Sequence, residues 1–574
     1  MFVRGIVSLF QGVGPWATTA WISPFCGAEY SGDLDLAVGS TRIFLSTNCE
    51  VALFDRTHPI PSQAFVRTNL RNSVAAPNPP DGVFTATSPS PSEYRLFDPR
   101  VHYDPYSDRY WILASELEFH TNVFVRINYN FGRVHLAVSK TANPTSFDPS
   151  EWWRYVIDVR DQGHVTEPHL GFPDRGTINV NPDWLFLNFW DKMCAISPTT
   201  CESGGVPYQH ESTQNTVVYF LPKQPLMDGT FQPGVSPPVF GMRLDDAGRT
   251  VLDTLAATFG TPDPAGVQYS IAVDRNPFIP PPGGEWFADA LRVEAYHREN
   301  NQWVRATTAV PLPSHTHFWR SEGNIPEPVG NFAIIGSYFM QAVHRNGSLY
   351  GALHMRPKGE NEPSPPSDRR TIVRWFQVQL NGWPQQASPG PQVVRVEDID
   401  PDSKAEGENR AVDPSIAVNA LGEVCVTFTV VGPNTYPQIW RAGYPASGGP
   451  NIHAILPSTC MPRSSLGIFF SQDFSAVEPD PLDPCIFYGH SMLAQQSSCG
   501  QSNVPWQGHL LRYCICTDLD VDFFTDAQYD EFDMLIYDMM FVTQHHDADF
   551  VRDGVIDILD RLAVRSTLRS RPRR

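Results

Sequence analysis

A chain of 574 residues with 53 Pro, 40 Gly, 14 Trp, 19 Tyr and 35 Phe, of which only 18% is charged, calls for many short strands and rigid turns rather than long helices. Its hydrophobic content of 41% can bury a large core, which excludes wholesale disorder. Against 42 basic residues stand 62 acidic ones, and the formal charge of −20 repels phosphate backbones, which excludes nucleic acid as a partner.

In chain order, residues 1–20 carry one Arg, an apolar patch broken by Gln11 and Gly12, and an Ala-x-x-Ala end. Residues 1–30 therefore read as a leader or an irregular N-terminal segment. Strands are predicted at Asp35–Val38, Ile43–Leu45 and Glu50–Asp55, followed by a Pro/Ser/Asn/Thr loop over 74–93. Asp98 to Leu113, DPRVHYDPYSDRYWIL, is a strand, a tight polar turn and a second strand. The same phrase returns at Glu167 to Asn188 and at Asp413 to Val430, each time opened by an acid and a Pro. These acids could converge on a central channel as a carboxylate ring. The plainer reading is that each accepts backbone N–H bonds and fixes the strand entry, while Pro presets the bend.

Further strands are predicted at Gly132–Ser139, Trp152–Val159, Thr216–Leu221, Arg292–Tyr296, Ala333–Tyr338, Ala342–His344 and 371–380. Arg345 to Ser348 forms a hairpin turn, 357–370 a solvent-exposed excursion, and the signal fades over 222–290. This recurrence predicts a mainly β protein, a β-propeller of six to eight blades over 31–512, in preference to a sandwich.

Candidate chemistry within 31–512 is sparse. Glu116-x-Glu118-x-His120 could line a site or bind a metal, and His315-x-His317 could be a metal pair; strand alternation and surface histidines explain them more cheaply. No GxSxG, P-loop or HExxH occurs, so serine-hydrolase, nucleotide and zincin chemistry have no support. Ten cysteines form no CxxC pair; Cys194/Cys201 and Cys485/Cys499 bracket polar loops as hairpin-closing disulfides would.

From residue 517 the composition changes. Asp518 to Asp560 contains thirteen acids and one basic residue, Arg552. Asp549, Asp553, Asp557 and Asp560 stand at positions 1, 5, 9 and 12 of a calcium loop. Gly554 stands at 6, and Val555 at 7 would ligate through its carbonyl. Val551 replaces the usual Asp or Asn at position 3. Upstream, Asp518, Asp520 and Asp522 suggest a degenerate partner loop, followed by helix-spaced Phe532, Leu535, Ile536, Met539 and Met540. The plainer alternative is an acidic helical hairpin that binds nothing tightly. Arg561 to Arg574 is a basic tail with six Arg.

The hairpin phrases, with Val38–Asp55, Ser139–Tyr155 and Val477–Tyr513, resemble those of extracytoplasmic bacterial β-propeller proteins of the sialidase-like superfamily. The resemblance implies the fold and a secreted or cell-surface location, and it leaves function open, because propellers host enzymes, binders and scaffolds alike. Repeats of the form SxDxGxTW are absent, which weakens a sialidase reading. The paired loop–helix units over 513–564, a small α-helical module, resemble a degenerate dockerin. That resemblance implies calcium as cofactor and a cohesin-like partner, with 565–574 as the tail. The expectation is a secreted or surface-attached, non-catalytic propeller that binds a glycan or protein ligand, with no transmembrane segment. The alternatives are a propeller enzyme acting on polysaccharide and a structural envelope component.

Overall fold

A computed structural model describes residues 16–21, 34–48, 50–56, 66–71, 82–84, 94–122, 126–158, 171–193, 214–232, 240–244, 254–258, 266–275, 287–319, 323–327, 330–334, 339, 341–358, 371–401, 409–445, 450–457, 475–484, 486–494 and 506–515. These residues are mainly strand. They form seven antiparallel units whose first strands are Asp35–Val38, Tyr94–Asp104, Gly171–Val180, Thr254–Thr258, Ala342–Arg345, Arg410–Val418 and Ala476–Pro479. Each first strand lies beside the next, and Ala476–Pro479 returns to Asp35–Val38, so the seven close a ring. Between the fourth and fifth, Ala256 to Thr258 pairs in parallel with Ala342 to His344. The fold is a β-propeller, and its units are called blades 1 to 7 below.

Blade 7 is completed by the start of the chain. Its strands Ala476–Pro479, Ile486–Ala494 and Trp506–Cys514 take Trp16–Trp21 as their outer partner, Trp16 opposite Tyr513. Trp16–Trp21 falls within the 1–30 segment. The loops at Cys194/Cys201 and at Cys485/Cys499, and everything beyond Ile515, lie outside the described residues.

Strand alternation explains the packing. Successive side chains point to opposite faces of a blade, and both faces are covered by neighbouring blades. Strands therefore read as nearly continuous apolar runs, such as Val424–Gly432, buried throughout. Seven apolar clusters result, one in each seam. Trp111 and Leu113 face blade 3, joining Val180, Leu185 and Leu187. Tyr110, Ile112 and Ala114 face blade 1, joining Phe44, Val51 and Leu53. In the seam between blades 3 and 4, Phe220 and Trp303 stack with centroids 4.3 Å apart.

The recurring hairpin has two structural devices. One is a β-bulge on the first strand: Asp98 and Pro99 oppose the single residue Ala114, Arg175 and Gly176 oppose Phe189, and Asp413 and Pro414 oppose Phe428. Asp98 (φ 48°) and Asp413 (φ 51°) adopt the left-handed conformation there, which Asp tolerates better than most residues. The other is an Asx turn six residues later. Asp104, Asn181, Asn419 and Asp480 each accept two backbone N–H bonds from the residues that follow, at 2.7–3.4 Å. Glu167 lies outside the described residues, and within them the bulge of that copy falls at Arg175–Gly176. In blade 5, Asn346 (φ 51°) and Gly347 (φ 70°) make the expected two-residue hairpin turn.

Candidate functional site

In every seam a polar side chain ties one blade to the next. Tyr110 Oη accepts from Arg42 N and donates to Arg42 O, both at 3.0 Å, between blades 2 and 1. Tyr155 Oη donates to Leu226 O (2.7 Å) between blades 2 and 3, and Tyr269 Oη to Trp383 O (2.9 Å) between blades 4 and 5. Asn179 donates to Gln268 (2.5 Å) across the 3–4 seam, and Arg345 to Val418 O (2.9 Å) across the 5–6 seam. Ser475 Oγ donates to Asp413 O (2.9 Å) across the 6–7 seam. Arg56 pairs with Asp480 across the closing 7–1 seam.

One group of ionisable side chains sits where blades 7, 1 and 2 meet. Asp35 Oδ2 accepts from Val101 N at 2.9 Å, and Glu478 Oε2 accepts from Val38 N at 2.8 Å. His490 Nδ1 lies 3.1 Å from Asp35 O, and Arg100 Nε donates to Gly176 O at 2.6 Å. Glu478, Arg100 and His490 are buried, whereas Asp35 keeps partial solvent access. Burial pushes the Asp35 carboxyl up to about 6 against the opposing pull of Arg100. Burial, with a smaller contribution from Asp35, raises Glu478 well above the usual carboxylate range. Burial also lowers His490 to about 3 and His509 to about 4, so both imidazoles are neutral at physiological pH.

A second group lies in the 2–3 seam. Lys223, on the single helical turn Lys223–Met227, is 1% exposed, and its Nζ lies 3.0 Å from Asp104 Oδ2. The same Nζ donates to Asn181 O at 2.7 Å, so one ammonium binds the Asx-turn residues of two blades. His102 beside them is lowered to about 4 by burial. Sequence reasoning missed Asp35, Arg100, Lys223, Glu478 and His490. Only Glu478 carried a signal, because Glu478-Pro479 is another acid–Pro pair.

The predicted residues fall as follows. Asp98 and Asp413 sit at equivalent bulges on the first strands of blades 2 and 6, and Glu167 lies outside the described residues. Asp98 N donates to Asn48 Oδ1 (2.7 Å), and Asp413 N to His354 Nδ1 (3.2 Å). Glu116 is buried and lies 2.8 Å from His135 Nε2; the Glu118 and His120 side chains lie outside the description. His315 is exposed and His317 half-buried on a 3₁₀ turn. Among the described residues no cluster of three or more His, Cys, Asp or Glu is placed to hold a metal ion. Asp518, Asp520, Asp522, Asp549, Asp553, Val555, Asp557 and Asp560 lie outside those residues. Cys425 is a free, buried thiol, pushed up to about 12 by burial. Among the described residues no helix is long and apolar enough to cross a membrane.

Many core arginines have fixed carboxylate partners. Arg374 holds Asp398, Arg292 and Arg305 hold Glu294, and Arg42 holds Asp55.

No family model and no curated protein matches the chain. Among solved structures it is similar to an exo-β-1,3-galactanase from Clostridium thermocellum, at 9% identity over 77% of this chain and 82% of that one, TM-score 0.28. It is also similar to Trypanosoma rangeli sialidase, at 10% identity over 73% and 54%, TM-score 0.32. An exo-β-1,3-galactanase from Phanerochaete chrysosporium matches at 11% identity over 84% and 96%, TM-score 0.30. These scores are low, and the fold rests on the strand pairing described above.

Proposed function

We propose that this chain is a non-catalytic β-propeller that binds a glycan or protein ligand through the loops of one face. The observation that carries the reading is the use of polar side chains between the blades. They are spent on holding blades together, at every seam, which leaves recognition to the connecting loops. The reading also places the protein outside the cytoplasm and gives it a C-terminal module stabilised by calcium through Asp549, Asp553, Asp557 and Asp560. A cohesin-like partner for that module belongs to the same proposal.

One observation favours the other class. Asp35, partly exposed and raised to about 6 beside buried Glu478, fits an enzyme acting on polysaccharide. The purified full chain, screened against a panel of oligosaccharides for binding and for hydrolysis, separates the two. Binding without turnover, unchanged in Asp35→Asn, supports the binding module; turnover that Asp35→Asn abolishes overturns it. Calcium is tested on the same preparation. Millimolar calcium should raise the melting temperature of the wild type and not of Asp553→Ala, and no response in the wild type would remove the calcium claim.

A further inference from the structure

Two of the most exposed large apolar side chains among the described residues, Leu421 (54%) and Leu482 (58%), occupy equivalent places in adjacent blades. Each is the second residue after an Asx-turn residue. Asn419 Oδ1 accepts from Leu421 N at 3.0 Å, and Asp480 Oδ1 from Leu482 N at 2.8 Å, so both backbones are fixed with the side chains outward. The turn itself does not ask for Leu. The same place holds Asp183 in blade 3, where it is exposed, and Tyr106 in blade 2, beside the Lys223 ammonium. The two leucine turns are joined directly, since Asn419 Nδ2 donates to Pro484 O.

The chain leaves the propeller beside them. Cys514, the last residue of its strand, pairs with Ile486, which follows the Asp480–Asp483 turn; the strand therefore ends on the face that carries Leu482. The next residue, Ile515, is buried and packs against Gly443 of blade 6, in the core of the 6–7 seam. Residues 516–574 begin at that point, and within them Phe532, Leu535, Ile536, Met539 and Met540 recur at helical spacing. The 16 residues between Ile515 and Phe532 can span about 55 Å, more than enough to return to either leucine. A tethered apolar face meets this patch at an effective concentration in the millimolar range, which favours it over a partner in trans.

We propose that the C-terminal segment folds back on the propeller and covers Leu421 and Leu482 with the Phe532, Leu535, Ile536, Met539 and Met540 face. This contact is independent of whether the segment binds calcium. Hydrogen exchange read by mass spectrometry on the full chain tests it, using wild type and Leu421→Ser/Leu482→Ser. Both leucines are solvent-facing, so outside the turns at 419–423 and 480–484 the blades should exchange alike in the two proteins. Amides around 530–541 should be protected in the wild type and exchange roughly ten-fold faster in the variant. In the reciprocal variant, Phe532→Ser/Met539→Ser, the turns at 419–423 and 480–484 should lose protection. Equal exchange at 530–541 in wild type and double variant overturns the proposal. So does protection that depends on protein concentration, which would mark a second copy as the occupant.

Discussion

Replacing Asp35 by Asn should stabilise the protein at neutral pH. Folding lifts the Asp35 carboxyl from 3.8 to about 6. The folded state thus holds an extra proton between those values. Stability from this group is full below the lower value, falls as pH rises through the interval, and stays reduced above about 6. A displacement of about 2 units is worth about 3 kcal/mol, and the partial exposure of the side chain trims this to about 2. Asn keeps an acceptor for Val101 N–H and cannot ionise. The apparent melting temperature at about pH 4 and about pH 7.5 reads the effect. With unfolding entropy scaling with length, about 2 kcal/mol on 574 residues is about 2 °C. Wild type and variant should melt together at the acid pH and separate by that amount, in the variant's favour, at the neutral pH. A variant that melts lower at neutral pH, or one with the same offset at both pH values, refutes the assignment of a strained carboxyl to this seam.

Two further outcomes follow from the seams. A Cβ on Gly39 would stand 2.1 Å from Tyr110 Oη, so Gly39→Ala should cost about 1–3 kcal/mol by overpacking. Its combination with Tyr110→Phe should cost less than the sum of the two single changes, as thermal unfolding would show. Lys223→Met strands the buried Asp104 charge and should cost about 3–5 kcal/mol. Adding Asp104→Asn, which keeps the turn acceptor, should recover part of that loss, and strict additivity of the two changes would count against a direct ion pair.

The hairpins were legible because their devices are local. Asp98 to Leu113 and Asp413 to Val430 carry bulge, strand, Asx turn and strand within twenty residues. Glu167-Pro168 lies outside the described residues, while the bulge of that copy, Arg175-Gly176, carries no Pro and keeps the spacing of six residues to Asn181. The strands at Phe240–Leu244, Thr254–Thr258 and Gln268–Arg275 fell in the stretch where the pattern faded, and two of them are only five residues long. The polar cluster was illegible for a different reason. Glu478 meets Val38 across 440 residues, a proximity created by ring closure alone.

That closure also orders events in time. The strand Trp16–Trp21 precedes the first strands of all seven blades, yet its partner Trp506–Cys514 follows them all. Until Trp506–Cys514 is made, Trp16–Trp21 has no paired edge, and until Ala476 is reached blade 7 has none of its three other strands. The nascent protein is therefore an open arc through most of its synthesis. Its ends join only when nearly the whole propeller has emerged, so a chain cut short before Ala476 would remain an arc, and one cut between Ala494 and Trp506 would leave Trp16–Trp21 without its partner.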